Sequence, residues 1–163
     1  MVQPINYNEV TFSIIKPEIV AQGLASKVNA MLEDNGFKIL LQKKIHLSLE
    51  EAEFFYQEHK ERPFFKDLTS FLSSGPVIVQ LLWNKEGDTV KKYRDIMGAT
   101  NPANAADNTI RKAYGHSIDY NGVHGSDSPE SSHRECLCFF SESEIFKALK
   151  SNTITVKDIM VKN

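Results

Sequence analysis

Of the five histidines in this 163-residue chain, four sit in settings that surface or structural roles explain: His46 in a strand pattern, His59 at a helix end, His116 and His133 among polar neighbours. His124 differs. Gly122 and Gly125 free the backbone around it, and Ser126, Asp127, Ser128 and Glu130 supply polar partners within a few residues. A histidine so placed is either a solvated loop residue or a nucleophile or general base, because neutral imidazole is abundant near pH 7. Three cations, Lys16, Arg94 and Arg111, are far apart in sequence and either face solvent singly or converge on one anion in the fold. The chain has no GxxxxGK[ST] loop and no GxGxxG after a strand, so the common nucleotide-fold fingerprints are missing. His-Gly-Ser-Asp-Ser contains no Gly-x-Ser-x-Gly elbow, which removes a serine hydrolase. Cys136 and Cys138 have no second pair and no nearby His doublet, and are read as thiols of a strand rather than metal ligands.

The elements that must position these residues are legible as an alternation of strands and helices. Val10 to Ile15 reads as a first strand that stops at Lys16-Pro17, because proline disfavours helix for the residue before it; Lys16 therefore sits at a strand end. Leu24, Val28, Met31 and Leu32 mark an amphipathic helix from Gly23 to Asn35, closed by Asn35-Gly36. Phe37 to Leu47 reads as the second strand, and Ser48 with Glu51 forms a capping-box pattern opening the next helix, which carries Phe55 and Tyr56. Arg62-Pro63 breaks it, and Phe64, Leu68, Phe71 and Leu72 mark another short helix before the third strand, Val77 to Trp83. Asp88 is placed to cap a helix carrying Val90, Tyr93 and Met97, which Gly98 terminates. The loop Ala99 to Asn108 lacks large apolar residues, a short helix spans about Thr109 to Tyr114, and Cys136 to Phe140 is the fourth strand candidate. Four strands with helical connections predict an α+β fold of ferredoxin-like βαββαβ order, a four-stranded antiparallel sheet with helices packed on it. Residues 1–163 form one domain, with 141–163 a tail in which Ile145, Phe146 and Leu149 predict one or two helical turns.

Several segments agree, in order, with one family. Ile14-Ile-Lys-Pro-Glu-Ile-Val20, Arg62-Pro-Phe-Phe65, Ser74-Gly-Pro76, Arg94 through Gly-Ala-Thr-Asn-Pro-Ala103, Thr109-Ile-Arg111 and Asn121-Gly-Val-His-Gly-Ser-Asp-Ser128 resemble nucleoside diphosphate kinase, from about Val10 to Phe140. The wording Asn-Pro-Ala-Asn-Ala is similar to the bacterial branch of that family. The resemblance implies transfer of the γ-phosphate of a nucleoside triphosphate to a nucleoside diphosphate through a phosphohistidine on His124, with Mg²⁺ accompanying the nucleotide and no protein-built metal site. It further implies that Glu135, supported by Ser126, orients the imidazole, and that Lys16, Arg94, Thr100 and Arg111 hold the phosphates with Tyr56 beside them. Asn121 with Lys16 would contact the ribose. Phe64 would stack on the base opposite Ile118, although helical periodicity places Phe64 in the apolar stripe and leaves Phe65 as the odd aromatic. A homo-oligomer, tetramer or hexamer, is implied. The chain departs from the family pattern in a slightly longer Leu81 to Asp88 segment, in Pro129 after the histidine motif, and in residues 141–163, which match nothing in it.

Composition narrows the alternatives. Nineteen Lys+Arg against 21 Asp+Glu give a formal net charge of -2, so no global positive field draws the chain to nucleic acid. An RNA-recognition module would share the sheet but needs a basic, glycine- and aromatic-rich strand signature that is missing here. A nucleotide-binding regulator without activity is the other competing class, and the presence of every expected catalytic residue argues against it. Met1 to Asn8 lacks a signal-peptide pattern, no apolar run is long enough for a span, and two cysteines cannot build a disulfide framework, which together predict a cytoplasmic protein without a membrane partner.

Overall fold

The computed structural model describes residues 9–151; the readings made of Met1 to Asn8 and of the tail beyond Ser151 lie outside them. The first strand, β1 (Val10–Ile15), is buried at every position. Its alternation feeds two cores: Val10, Phe12 and Ile14 enter one apolar cluster and Ile15 the other. Pro17 then holds Lys16 in an extended conformation and starts a short helix, α1 (Pro17–Ala21), with Lys16 at its N-cap. An amphipathic helix follows as α2 (Ala25–Asp34), then β2 (Phe37–Ile45).

The capping box forms in full at the next helix, α3 (Leu49–Phe55): Glu51 N–H donates to the Ser48 hydroxyl, and Ser48 N–H donates to the Glu51 carboxylate. A single 3-10 turn, Gln57–His59, leads to α4 (Phe65–Leu72), β3 (Val77–Asn84) and α5 (Thr89–Met97). Gly98 ends α5 with φ of 87°, a left-handed value that glycine adopts without penalty. A second 3-10 turn, Pro102–Asn104, precedes α6 (Ile110–Tyr114), whose N-cap Thr109 accepts from Lys112 N–H. The described residues end with β4 (Val123–Gly125), α7 (Pro129–Phe139) and α8 (Glu142–Ser151).

The strands lie in the order β2-β3-β1-β4, and every neighbouring pair is antiparallel. This is the predicted βαββαβ sheet. One face is covered by the cluster of Phe12, Phe55, Leu81, Cys136, Phe140 and Ile145, the other by Ile19, Val28, Leu32, Tyr93 and Met97. The central strand β1 thus carries structure on both faces, and Lys16 emerges at its end, beside β4.

The structure corrects the sequence reading at three places. The fourth strand is Val123–Gly125, and Cys136 to Phe140 is the end of α7 and the residue after it. The reason is local: Ser128 accepts from Ser131 N–H, Pro129 sits at the first helical position, and Ser132, Glu135 and Cys136 then fall on one buried face. The thiols are accordingly helical, Cys136 buried and Cys138 half-buried, both unpaired by disulfide. Asp88 occupies the N-cap of α5 in a left-handed conformation, φ 51°, and its carboxylate makes no capping bond. The tail begins with the expected helical turns: Ile145, Ala148 and Leu149 of α8 are buried, and Lys43 of β2 pairs with Glu144 at 3.0 Å.

At Gly125 of β4 the sheet comes up against α5. A Cβ there would lie 2.7 Å from the Met97 methyl, the far end of a flexible side chain, and 2.7 Å from the ring of the fully buried Tyr93, which would have to shift. Gly125→Ala is therefore expected to destabilise the protein by about 1–3 kcal/mol, through overpacking rather than backbone strain. Urea denaturation of the two proteins checks this; an unchanged midpoint would show that α5 yields.

Candidate active site

His124 is the middle residue of β4 and pairs with Ile14 of β1. Its ring is walled by Phe12, Phe55 and Tyr56, with centroids 6.4, 5.2 and 5.9 Å away. On the α7 side, Nε2 lies 2.7 Å from Oε1 of Glu135. The Ser126 hydroxyl donates to the same oxygen at 3.0 Å, and Ser126 is itself fully buried. A carboxylate accepts, so a neutral imidazole bonded in this way has its proton on Nε2 and its lone pair on Nδ1. The side chain is 19% exposed, enough to meet a ligand from one direction only.

That direction is a groove of about 1070 Å³. Lys16, Arg94, Thr100, Arg111 and Asn121 line it together with His124, Tyr56 and Glu135. The three cations separated in sequence do converge. Lys16 is buried, and its ammonium donates to Asn121 Oδ1 at 2.8 Å, while Asn121 Nδ2 donates to the Thr100 carbonyl at 3.1 Å. Arg111 is anchored by two backbone carbonyls, Gly98 at 3.1 Å and Val123 at 2.9 Å. Its Nε is buried without a hydrogen-bond partner among the described residues.

Burial, followed by repulsion from Arg111, pulls the Lys16 ammonium down to about 8. Burial likewise lowers Arg111, which nonetheless stays charged at any ordinary pH. Tyr56 shifts the other way: burial and the Glu135 charge push its phenol up, so it is a neutral hydroxyl donor. Asp127, also lining the groove, is held below the usual carboxylate range chiefly by the hydrogen bond from Ser131, 2.6 Å long.

At the mouth, Phe64 is 47% exposed and Ile118 is 56% exposed, and both line the groove. Phe64 occupies the residue before α4, outside the helical stripe, whereas Phe65 lines a different, shallower pocket with Phe54 and Arg62. Periodicity misplaced the two because the helix starts one residue later than the apolar pattern implies.

Two features escaped the sequence reading. Arg134 donates to the Phe55 carbonyl at 3.3 Å and forms ion pairs with Glu58 at 3.3 Å and Glu135 at 3.8 Å, tying α3 and the turn after it to α7. Its place beside Glu135 was the available signal. Phe71 of α4 meets Tyr120 edge-on at 4.6 Å on the groove wall, a contact between residues 49 apart that no local pattern reveals.

A histidine oriented by a carboxylate, in a groove that brings Lys16, Arg94 and Arg111 together and has Phe64 and Ile118 exposed along it, fits a phosphotransferase that handles nucleotides. Comparison with known proteins identifies which. The family model described as nucleoside diphosphate kinase matches residues 9–145. A nucleoside diphosphate kinase of Phenylobacterium zucineum is 54% identical over 138 residues, covering 84% of this chain and 97% of that protein. One from Azorhizobium caulinodans is 52% identical over 137 residues, covering 84% and 96%. Among solved structures, the Aquifex aeolicus nucleoside diphosphate kinase superposes with a TM-score of 0.80 at 38% identity, covering 83% of this chain and 97% of that one. The Halobacterium salinarum nucleoside diphosphate kinase, solved in complex with CDP, gives 0.78 at 37% identity, covering 84% and 90%. The chain belongs to the nucleoside diphosphate kinase family, and its activity is transfer of a phosphoryl group from a nucleoside triphosphate to a nucleoside diphosphate.

The lowered Lys16 carries a consequence for binding. Above pH 8 the free protein loses this ammonium, so affinity for a polyphosphate is expected to fall as pH rises from 7.5 to 9.5, and to do so less in Lys16→Arg. Titration with a non-hydrolysable ATP analogue measures it; affinity independent of pH over that range would contradict the assignment of charge.

Proposed function

We propose that His124 is the nucleophile of this nucleoside diphosphate kinase and that the transfer runs in two half-reactions through a phosphohistidine. The observation that carries this is the bond between His124 Nε2 and Glu135, which leaves Nδ1 to attack. In the first half-reaction the Nδ1 lone pair forms a bond to the γ-phosphorus, the bond from that phosphorus to the β–γ bridging oxygen breaks, and the diphosphate leaves with the electron pair. The imidazolium that results keeps its Nε2 proton, facing the Glu135 carboxylate, so the new positive charge is balanced where it forms. In the second, a terminal oxygen of the incoming diphosphate displaces Nδ1, and the neutral imidazole is restored.

Most of the remaining work is positioning and charge neutralisation, since a loose phosphoryl transition state asks little covalent chemistry of the protein. Lys16, Arg94, Thr100 and Arg111 hold the phosphates, Tyr56 donates its neutral hydroxyl beside them, and Ser126 fixes Glu135. Asn121 with Lys16 takes the ribose hydroxyls. Phe64 and Ile118 grip the base by its faces, which every base offers, so many nucleosides are accepted.

Mg²⁺ supplies charge neutralisation when it arrives on the nucleotide's phosphate oxygens. The groove fits such a carried ion: Lys16, Arg94, Arg111 and Arg134 line it for the phosphates, and among its carboxylates Asp127, held in the ionised form by Ser131, would be available to an ion carried on them. The protein acts as a homo-oligomer, tetramer or hexamer, in the cytoplasm, on di- and triphosphates, maintaining their pools. No helix among the described residues is long and apolar enough to cross a membrane, and both cysteines are free, which supports that setting.

Incubation with γ-labelled ATP and Mg²⁺ is expected to give an acid-labile, base-stable phosphoryl label that His124→Ala abolishes. Glu135→Ala is expected to lower kcat/KM by about 10- to 100-fold, with Ser126→Ala smaller in effect. Absence of label from folded wild-type protein would sink the mechanism.

A further inference from the structure

Lys16 and Asn121, 105 residues apart, are joined by more than their own hydrogen bond. Lys16 N–H donates to the Gly122 carbonyl at 2.9 Å. Gly122 N–H in turn donates to Oε1 of Glu18 at 2.8 Å. Both backbone polar groups of Gly122 are thus held by residues 16–18. Gly122 has φ of 87°, and a Cβ would come no nearer than 3.5 Å to Ile19, so backbone conformation rather than space demands glycine here. The turn matters because it stands between Asn121 and His124, and β4 shares only three residue pairs with β1. Pairing so short leaves the strand's entry to bonds outside the sheet ladder: Lys16 N–H holds the Gly122 carbonyl, Arg111 the Val123 carbonyl, and Glu18 the Gly122 N–H.

The other oxygen of Glu18, Oε2, is buried and has no hydrogen-bond partner among the described residues. A carboxylate oxygen in that position is costly unless a positive charge faces it. Around Lys16, the positive charge is Arg111 of α6, and the negative charges are Glu18 of α1 and Asp119 of the loop before β4; Tyr56 and His124 share the groove wall. Glu18 is the stronger of the two negative influences on the ammonium, opposing what burial and Arg111 do to it.

We propose that Glu18 is a positioning residue for phosphoryl transfer, one oxygen clamping the Asn121–Gly122 turn and the whole carboxylate serving as counter-charge to the Lys16 ammonium. This rests on the reading that Lys16 holds substrate phosphate. The two roles separate by substitution. Glu18→Gln keeps a carbonyl oxygen for Gly122 N–H and removes the charge; Glu18→Ala removes both.

The experiment is kcat and KM for a nucleoside diphosphate between pH 6 and 10, on full-length wild type, E18Q and E18A, with thermal midpoints for each. In E18Q the alkaline limb of kcat/KM is expected roughly one pH unit lower than in wild type, giving about a tenfold loss at pH 9 that appears in KM. E18A is expected to show the same shift together with a fall in kcat at pH 7 of about tenfold, because the turn leading to His124 is no longer held. Superimposable wild-type and E18Q profiles overturn the charge role, and an E18A whose kcat per folded molecule equals wild type overturns the clamp. A wild-type chain that takes no phosphoryl label overturns the parent reading; a labelled, active wild type with unshifted variants overturns the role of Glu18 alone.

Discussion

The hydrogen bond of 2.7 Å between His124 and Glu135 joins a strand of three residues to a helix of eleven, and the site depends on that junction. A histidine on so short a strand would be free to turn. Glu135 holds one ring nitrogen, the Ser126 hydroxyl holds the carboxylate, and Phe12, Phe55 and Tyr56 leave the ring little lateral room. The same aromatic wall keeps water from most of the ring, which strengthens the bond that orients it. Placing Glu135 correctly requires α7 to begin where it does, and Ser128 with Pro129 fixes that start.

Charge is arranged around this bond as a contrast between whole and part. The chain carries 19 basic and 21 acidic residues, yet Lys16, Arg94 and Arg111 face one groove. Lys16 and Arg111 are almost completely buried, a costly arrangement for two like charges in a folded protein without an anion between them. Backbone carbonyls of Gly98 and Val123, the side chain of Asn121 and the carboxylate of Glu18 offset part of that cost. On the proposed reading of the site a polyphosphate offsets the rest, and part of the cost of burying the cations is returned when substrate binds.

The sequence made some of this plain and concealed the rest for identifiable reasons. Lys16-Pro17 announced a strand end because proline acts on its immediate neighbour, and Gly98 and the Ser48–Glu51 box are equally local signals. The fourth strand went unseen because three residues show no period, and α7 was misread because its polar first turn resembles a loop while its apolar end resembles a strand. Family resemblance gives Phe64 a base-stacking role against its own periodicity, and the structure shows its side chain on the groove wall. The bonds from Lys16 to Asn121 and from Gly122 to Glu18 cross more than a hundred residues, so only the folded chain displays them.

The central claim concerns a single atom. With Nε2 committed to Glu135, the proposed phosphohistidine would carry its phosphoryl group on Nδ1 of His124. Long-range proton–nitrogen and phosphorus correlation spectra of the uniformly ¹⁵N-labelled, phosphorylated protein distinguish the two ring nitrogens directly. The account predicts phosphorus coupled to Nδ1 with the proton retained on Nε2; phosphorus on Nε2, or on any residue other than His124, would contradict it.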